Sequence, residues 1–410
     1  MTDNLAELEN WFERVTGSEW LWFVKYLSAN DTYAKAHQGG PYLAKDLIPS
    51  VFPTLAARSL VEENPDTIIA ASLDSHTYSR EIRVVYYNSR LLGQKNGRDE
   101  ARMTRWGSLD VPLVAAESTG ALVIFAYHTR HGRDADACRI WLCRSSAEED
   151  LVLDRVGPVE PGSGLIYSSA GSTLPVVSNI SLKQSCFLNA VDLPDAWRQE
   201  FPSGEAIIAE VVRRLPLSRA KPPDLRLLHR RKCEYEMFRS IEEFYTMPRI
   251  DEGFASVDLF VNLANAVTNR RKARAGRSLE LHASRIFNEE ALLYSHGERT
   301  EDKRTPDFIF PSIERYHDKS WSPNRLRMLA AKTTCKDRWR QILNEAERVG
   351  RKHLLTLQEG VSLAQFREMQ QSDVVLVVPE PLIGKYPADV QPDLIGLGSF
   401  INETRTACQT

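Results

Sequence analysis

The stretch Pro306-Asp307-Phe308-Ile309-Phe310, followed after a polar loop by Leu326-Arg327-Met328-Leu329-Ala330-Ala331-Lys332-Thr333-Thr334-Cys335-Lys336-Asp337-Arg338-Trp339-Arg340-Gln341-Ile342-Leu343-Asn344-Glu345, decides the fold of this chain. Both apolar runs are short enough to be buried strands. An aspartate opens the first, a lysine closes the second, and a glutamate follows one helix later. Hydrolysis of a phosphodiester needs a hard cation held by carboxylate oxygens, to lower the pKa of a water and to offset charge on the scissile phosphate. Asp307 and Glu345 are candidate ligands for it. Lys332, beside those carboxylates at a strand end, suits orientation of the nucleophilic water or stabilisation of the developing charge. On spacing alone, a surface ion pair is the commoner explanation of an aspartate and a lysine on adjacent strands.

Around this stretch, apolar residues at helical spacing predict helices over 235–245, 257–267, 279–293 and 339–349. Strands are expected near 307–310, 326–334, 353–357 and 374–378. Strands alternating with helices give an α/β sheet covered on both faces. Two basic clusters flank the candidate site. Five cations and no acid lie between Arg270 and Arg277, and six cations with one acid between Arg325 and Arg340. Either alone reads as a solvated helix face; together they suggest a cleft that tracks phosphates. The net charge of −3 gives no global sign of a nucleic-acid partner, so the basic residues must act locally.

The N-terminal half reads differently. An opening helix over 5–27 precedes short alternating runs at 82–87, 121–127 and 139–143, punctuated by Gly, Asn and Asp, which predict a mostly β domain. Pro158, Pro161, Gly162 and Gly164 mark irregular structure within it. A proline-rich segment follows, with a short helical stretch at 206–214 and its linker character concentrated at 219–224. A chain of 410 residues is long for one core, and the division expected is 1–200, a linker at 201–226, and 227–410. The six cysteines show no CxxC pair and no repeated spacing. They fit reduced thiols in a cytoplasm better than disulfides or zinc ligands. No segment reaches the length of uncharged apolar sequence that spans a bilayer, and no membrane partner is expected.

Residue identities go further than spacing. Asn269-Arg270-Arg271-Lys272, Arg274-Ala275-Gly276, Leu279-Glu280-Leu281-His282, Pro306-Asp307-Phe308, the run from Lys332 to Glu345, and Thr356-Leu357-Gln358-Glu359-Gly360-Val361-Ser362 closely resemble the EcoRII-type restriction endonucleases. The resemblance is dense from about residue 227 onward. It reaches the N-terminal half through Ser28-Ala29-Asn30-Asp31-Thr32, Tyr86-Tyr87-Asn88-Ser89-Arg90 and Thr104-Arg105-Trp106-Gly107. It implies an α/β PD-(D/E)xK nuclease core, a mixed sheet flanked by helices, in the C-terminal half. It implies a mostly β N-terminal pseudobarrel of the B3 type that binds a second copy of the site as an effector.

Carried over by motif, Asp307, Lys332 and Glu345 match the family's catalytic centre, with Glu280 as a further acid. In the simplest nuclease pattern an acid sits two residues before the lysine. Here that position is Ala330, so Glu345 has to replace it, from a helix that would place it about 12 Å from Asp337. Tyr316 and Lys336 match positions the family has implicated in activity. Tyr316 reads equally as a phosphate contact or a packing residue, and Lys336 as a phosphate contact. Asp337 and Arg338 begin the predicted helix and suit a C·G-rich site, since arginine forks onto guanine and a carboxylate accepts from cytosine N4. An N-cap aspartate with a solvated arginine is the plainer alternative. Arg231 and Tyr235 match residues that in the family hold a flipped central base. His37, Arg90, Glu100, Arg102 and Arg105 fall in the two arms expected to grip effector DNA. One arm is about two residues longer near 94–99, and a lysine expected after Glu100 is Ala101.

The resemblance therefore implies a cytoplasmic, homodimeric, Mg²⁺-dependent type II endonuclease acting on double-stranded DNA at a CC/GG site with a central base pair, CCWGG being the expected form. It also implies a companion cytosine methyltransferase that protects the host without forming a stable complex. Two other readings remain open: a sequence-specific regulator built on a nuclease core that no longer cuts, and a repair or mobile-element nuclease with the same core.

Overall fold

The computed structural model describes residues 2–35, 40–168, 172–174, 186–301, 304–336 and 338–409. They group into two compact units: Met1–Ile180 with Gln358–Arg367 and Lys385–Pro392, and Ser181–Leu357 with Glu368–Gly384 and Asp393–Thr410.

The first unit is built on nine strands: β1 (Trp20–Tyr26), β2 (Tyr42–Leu43), β3 (Asp66–Leu73), β4 (Tyr78–Tyr87), β5 (Glu100–Thr104), β6 (Leu122–Arg130), β7 (Arg133–Leu142), β8 (Gly164–Ser168) and β9 (Ser172–Leu174). They pair in the order β2-β5-β4-β3-β7-β6-β1-β8-β9. The pairing of β3 with β7 is parallel and the others are antiparallel. Side chains alternate across a strand, and β6 uses both faces. Val123, Phe125 and Tyr127 join the core with Phe52 and Trp106. Leu122, Ile124 and Ala126 join the core with Trp11, Trp22 and Val152.

The opening helix is shorter than its periodicity suggests, Thr2–Arg14 instead of 5–27. Gly17, at φ +140°, breaks it. The aromatic and β-branched run Trp20-Leu21-Trp22-Phe23-Val24 then forms β1, because such residues fit a pleated surface buried on both sides.

The second unit holds five strands, β10 (Ser295–His296), β11 (Phe308–Phe310), β12 (Arg327–Ala331), β13 (Lys352–Leu355) and β14 (Val374–Val377), in that order across the sheet. The first two pairings are antiparallel and the last two parallel. The two long helices Pro223–Glu252 and Val257–Glu289 and the helix Leu397–Gln409 flank this mixed sheet. Leu227, Phe287, Phe308, Leu329, Leu355, Val377 and Phe400 form its core. The helices expected at 257–267 and 279–293 are one continuous helix that stops at Glu289. The helical stretch expected at 206–214 is present as Gly204–Arg214. Residues after it include Asp224, buried in the first turn of its helix, where its carboxylate accepts from the backbone of Glu380, Leu397 and Gly398.

Two expectations fail here. No α-helix forms over 339–349: a 3₁₀ segment spans Arg338–Asn344 and ends in a turn at Glu345, so the α-helical rise used to place Glu345 does not apply. Nor are all six cysteines free. Cys186 and Cys233 form a disulfide with Cα atoms 5.2 Å apart, while Cys138, Cys143, Cys335 and Cys408 form none. The two partners lie 47 residues apart and meet because both enter a small core with Leu188, Ile207, Val211 and Met237. Spacing carries no trace of that encounter, and the cysteines give no argument for a reducing compartment. Among the described residues no helix is long and apolar enough to cross a membrane.

Candidate active site

Asp307 stands one residue ahead of β11 and Lys332 one residue past β12. These strands are antiparallel, with Phe308 opposite Leu329, so the start of one meets the end of the other and the two side chains converge. Asp307 Oδ2 accepts from the Ala331 backbone N–H at 2.7 Å and from Lys332 Nζ at 2.9 Å. The Lys332 N–H donates to the Leu355 carbonyl at 2.9 Å, which fixes the main chain where the lysine leaves it.

Glu345 reaches this place on a turn whose backbone groups are taken by side chains. Lys352 Nζ donates to the carbonyls of Glu345 and Ala346. Glu301 accepts from the Glu347 N–H at 3.2 Å. The Arg348 N–H donates to the Tyr316 hydroxyl. An α-helix would need those same groups for its own ladder, which is why the apolar period at Trp339, Ile342, Ala346 and Val349 produces no α-helix. Tyr316 is buried, its hydroxyl donating to Glu301 and accepting from the Arg348 N–H at 3.3 Å. Of the two readings of Tyr316, these contacts favour packing.

The electrostatics of the cluster are unbalanced. Burial, and after it the charge of Asp307, pushes the Glu345 carboxyl up to about 7 against the pull of Lys332 and Lys352. Burial and Asp307 also raise Glu280, on the long helix Val257–Glu289, against Lys332 and a His296 contact at 3.5 Å. Glu345 Oε2 is buried with no hydrogen-bond partner among the described residues. Two acids raised by burial and by the charge of Asp307, one with an orphaned carboxylate oxygen, are together with Asp307 a donor set that fits a hard divalent cation.

Of the proposed DNA-reading residues, Arg338 opens the 3₁₀ segment and Lys336 precedes it in a turn, both half-buried. Asp337 lies outside the described residues. Arg231 is buried and donates to Ser278 Oγ at 3.3 Å. Tyr235, one turn on, carries the Arg274 guanidinium over its ring at 4.7 Å. In the basic cluster at 270–277, Arg271 pairs with the buried Glu242 and Arg274 with the buried Glu234, while Lys272 and Arg277 are exposed, Arg277 pairing at the surface with Glu205. In the first unit Arg90 is exposed. Glu100 contacts Arg102 at 3.3 Å, and Arg102 stacks on Tyr42 at 3.7 Å. Arg105, at φ +66°, lines a cleft of about 310 Å³ with Tyr33, Arg83 and Tyr87. His37 lies outside the described residues.

Residues 16–171 match the family described as restriction endonuclease EcoRII, N-terminal, and residues 238–401 the family described as EcoRII C terminal. Over 403 residues the chain is 42% identical to the type II restriction enzyme EcoRII of Escherichia coli, covering 97% of each protein. The chain belongs to the EcoRII family of type II restriction enzymes. Among solved structures, this EcoRII-family enzyme is similar to metal-depleted Ecl18kI in complex with uncleaved, modified DNA (16% identity, 52% of this chain and 80% of that one, TM-score 0.43). It is also similar to the UbaLAI restriction endonuclease B3 domain with cognate DNA (17% identity, 40% of this chain and 97% of that one, TM-score 0.27). Sequence reasoning passed over Lys352, Glu301, Arg348 and His296. None carries a local signal, because each acts through a partner that only the fold supplies.

Proposed function

We propose that this EcoRII-family enzyme hydrolyses phosphodiester bonds of double-stranded DNA at a CC/GG site with a central base pair, CCWGG, with Mg²⁺ as cofactor. In this reading the second unit is a PD-(D/E)xK core with its second acid displaced to Glu345, and it acts as a homodimer. The observation that most supports the reading is the cluster itself: Asp307 is bound to Lys332 while Glu345 keeps a buried oxygen without a hydrogen-bond partner among the described residues.

Asp307 and Glu345 would hold the ion, with water and substrate phosphate completing its coordination, as is usual for Mg²⁺. Once bound, it would offset charge on the scissile phosphate and lower the pKa of a water. Lys332, held at 2.9 Å by Asp307, aims its ammonium at the reaction centre to orient the water and stabilise charge as it develops. Glu280 adds negative charge from the helix behind, and the buried Tyr316 keeps the Glu345 turn in place. Attack is by water, without a covalent intermediate. Asp337 and Arg338 read C·G pairs, Lys336 contacts phosphate, and Arg231 with Tyr235 holds the flipped central base. The first unit binds an effector copy of the site through His37, Arg90, Glu100, Arg102 and Arg105, with the boundary between the two functions at 201–226. The biological role is cytoplasmic defence against foreign DNA, alongside a cytosine methyltransferase acting on the same site.

Digestion of unmethylated phage DNA with and without Mg²⁺, followed by sequencing of the fragment ends, tests this. Mg²⁺-dependent ends at CC/GG sites are expected, and they give the central base directly. Tight binding with intact DNA would instead indicate the non-cutting regulator.

A further inference from the structure

Glu345 is followed by a residue in a conformation its own chemistry disfavours. Ala346 has φ +48° and is fully buried. In that left-handed region the Cβ of an L residue crowds the following carbonyl, and glycine is the usual occupant. Something must hold the turn there. Lys352 does so geometrically: its Nζ donates to the carbonyl of Glu345 and, at 2.6 Å, to that of Ala346. The lysine is itself 5% exposed. Its backbone N–H donates to the Asp373 carbonyl at 2.9 Å, and its residue pairs with Val374 across the sheet. The clamp therefore stands on the rigid part of the unit and reaches out to the irregular part. An ammonium suits the task because it offers three rotatable donors, and two carbonyls one residue apart need two of them.

We infer that Lys352 is a positioning residue for cleavage: from its fixed place on β13 its ammonium holds the Glu345–Ala346 turn in the left-handed form that carries the Glu345 carboxylate. It touches neither substrate nor reacting atoms and acts through the main chain of Glu345 and Ala346. The inference rests on the reading of Glu345 as a cation ligand. It accounts for two oddities at once, a buried lysine without a carboxylate hydrogen-bonded to it among the described residues and a strained alanine beside the acid.

The test compares Lys352→Met, Lys352→Gln, the double variant Lys352→Met with Ala346→Gly, and Glu345→Gln as control. Single-turnover cutting of unmethylated phage DNA gives the rate, and calorimetric titration of the enzyme–DNA complex with Ca²⁺ gives cation affinity without turnover. A displacement of the carboxylate by about 1 Å should slow Lys352→Met by about 10²-fold. Loss of a supporting contact should weaken Ca²⁺ binding by about 10- to 100-fold. Lys352→Gln, which still donates to one carbonyl, should retain more of both. Glycine takes the left-handed conformation freely, so the double variant should recover part of what Lys352→Met loses. A role confined to stability would lower the melting temperature and leave Ca²⁺ affinity unchanged. Wild-type rate and Ca²⁺ affinity in Lys352→Met overturn the inference, as does a double variant no better than Lys352→Met alone. If Lys352→Met does not fold, equality of Lys352→Gln with wild type overturns it equally. Should Glu345→Gln cut normally, the assignment of Glu345 itself fails, and that outcome is distinct from a silent Lys352.

Discussion

Two regions of the second unit crowd charges to a similar degree and resolve them in opposite ways. Between the two long helices, buried carboxylates are met by guanidinium groups. Arg274 reaches Glu234 at 2.8 Å, Arg271 reaches Glu242 at 2.6 Å, and Arg226 and Arg230 both reach Glu289 at 2.9 Å. Burial works to raise the Glu289 carboxyl, yet the hydrogen bonds and charges of Arg230 and Arg226 hold it below the usual range. At the ends of β11 and β12 the acids outnumber their partners, and Glu345 and Glu280 are both raised. A satisfied network specifies a structure; an unsatisfied one, kept in place by the surrounding fold, is suited to take up a cation. Two arginines of what resembles a phosphate-binding cluster in sequence, Arg271 and Arg274, thus join two helices. The aspartate and lysine that resemble a surface ion pair lie in the candidate site.

Substitution on the two sides should separate these roles. Lys332→Ala or Glu345→Ala should reduce cleavage by about 10³-fold or more, while binding of uncleaved DNA in Ca²⁺ stays largely intact. Gel-shift and fragment-release assays on the same preparations measure both, and normal cutting by either variant would remove the assignment. Glu234→Ala should do the reverse kind of damage. It leaves Arg274 buried without its carboxylate and Ser278 without its acceptor at 3.0 Å. The expected cost is about 3–5 kcal/mol of stability, read by denaturant unfolding, and a loss under 1 kcal/mol would mean that the network is slack.

The contrast was only partly legible in the sequence. Strands β11 to β14 were, because strands buried on both faces read as short apolar runs, and Asp307 and Lys332 sit at their ends where a turn from apolar to polar is visible. The placement of Glu345 was not. Trp339, Ile342, Ala346 and Val349 are all buried at helical spacing, yet Lys352, Glu301 and Tyr316 capture backbone groups that a helix would use. That competition depends on residues from three separate segments, and no local window contains it. The β1 run was absorbed into the opening helix for a related reason: apolar continuity marks burial, while the break at Gly17 marks geometry. The Cys186–Cys233 bond and the pairing of Arg271 and Arg274 with buried acids are tertiary facts of the same kind.

A third solution to burial lies in β13 and sharpens the comparison. His353 is 4% exposed, with Nδ1 3.2 Å from the Met328 carbonyl, and it remains neutral. Burial, then Arg327 and Arg351, lowers its pKa to about 4 from 6.5. The unfolded chain therefore takes up a proton that the folded chain refuses. The stability from His353 is complete above pH 6.5 and is lost as pH falls through about 4, by about 3 kcal/mol in all. His353→Asn should flatten the acid limb of the stability curve by that amount relative to wild type. Parallel curves from pH 7 to 4 would show that His353 does not titrate as an isolated buried imidazole.

The smallest effect is the most direct test of the contrast, because its sign decides it. In metal-free buffer at pH 8, Glu345→Gln removes a half-buried charge that lies near Asp307 and has one oxygen without a partner among the described residues, so the variant should be more stable than wild type. The Glu345 carboxyl is raised from 4.5 to about 7. Its ionised form is therefore disfavoured by the fold, and the wild type loses stability as pH rises from 4.5 through about 7. Partial exposure screens the effect, leaving a gain of about 1 kcal/mol, or roughly 2–4 °C in melting temperature, that should vanish as pH returns toward 4.5. Added Ca²⁺ should reverse the order, since wild type has a ligand that the variant lacks. Glu234→Gln should be destabilising under all of these conditions. If Glu345→Gln instead destabilises the metal-free protein as Glu234→Gln does, the Glu345 carboxylate is one more structural partner, and the two regions are of one kind.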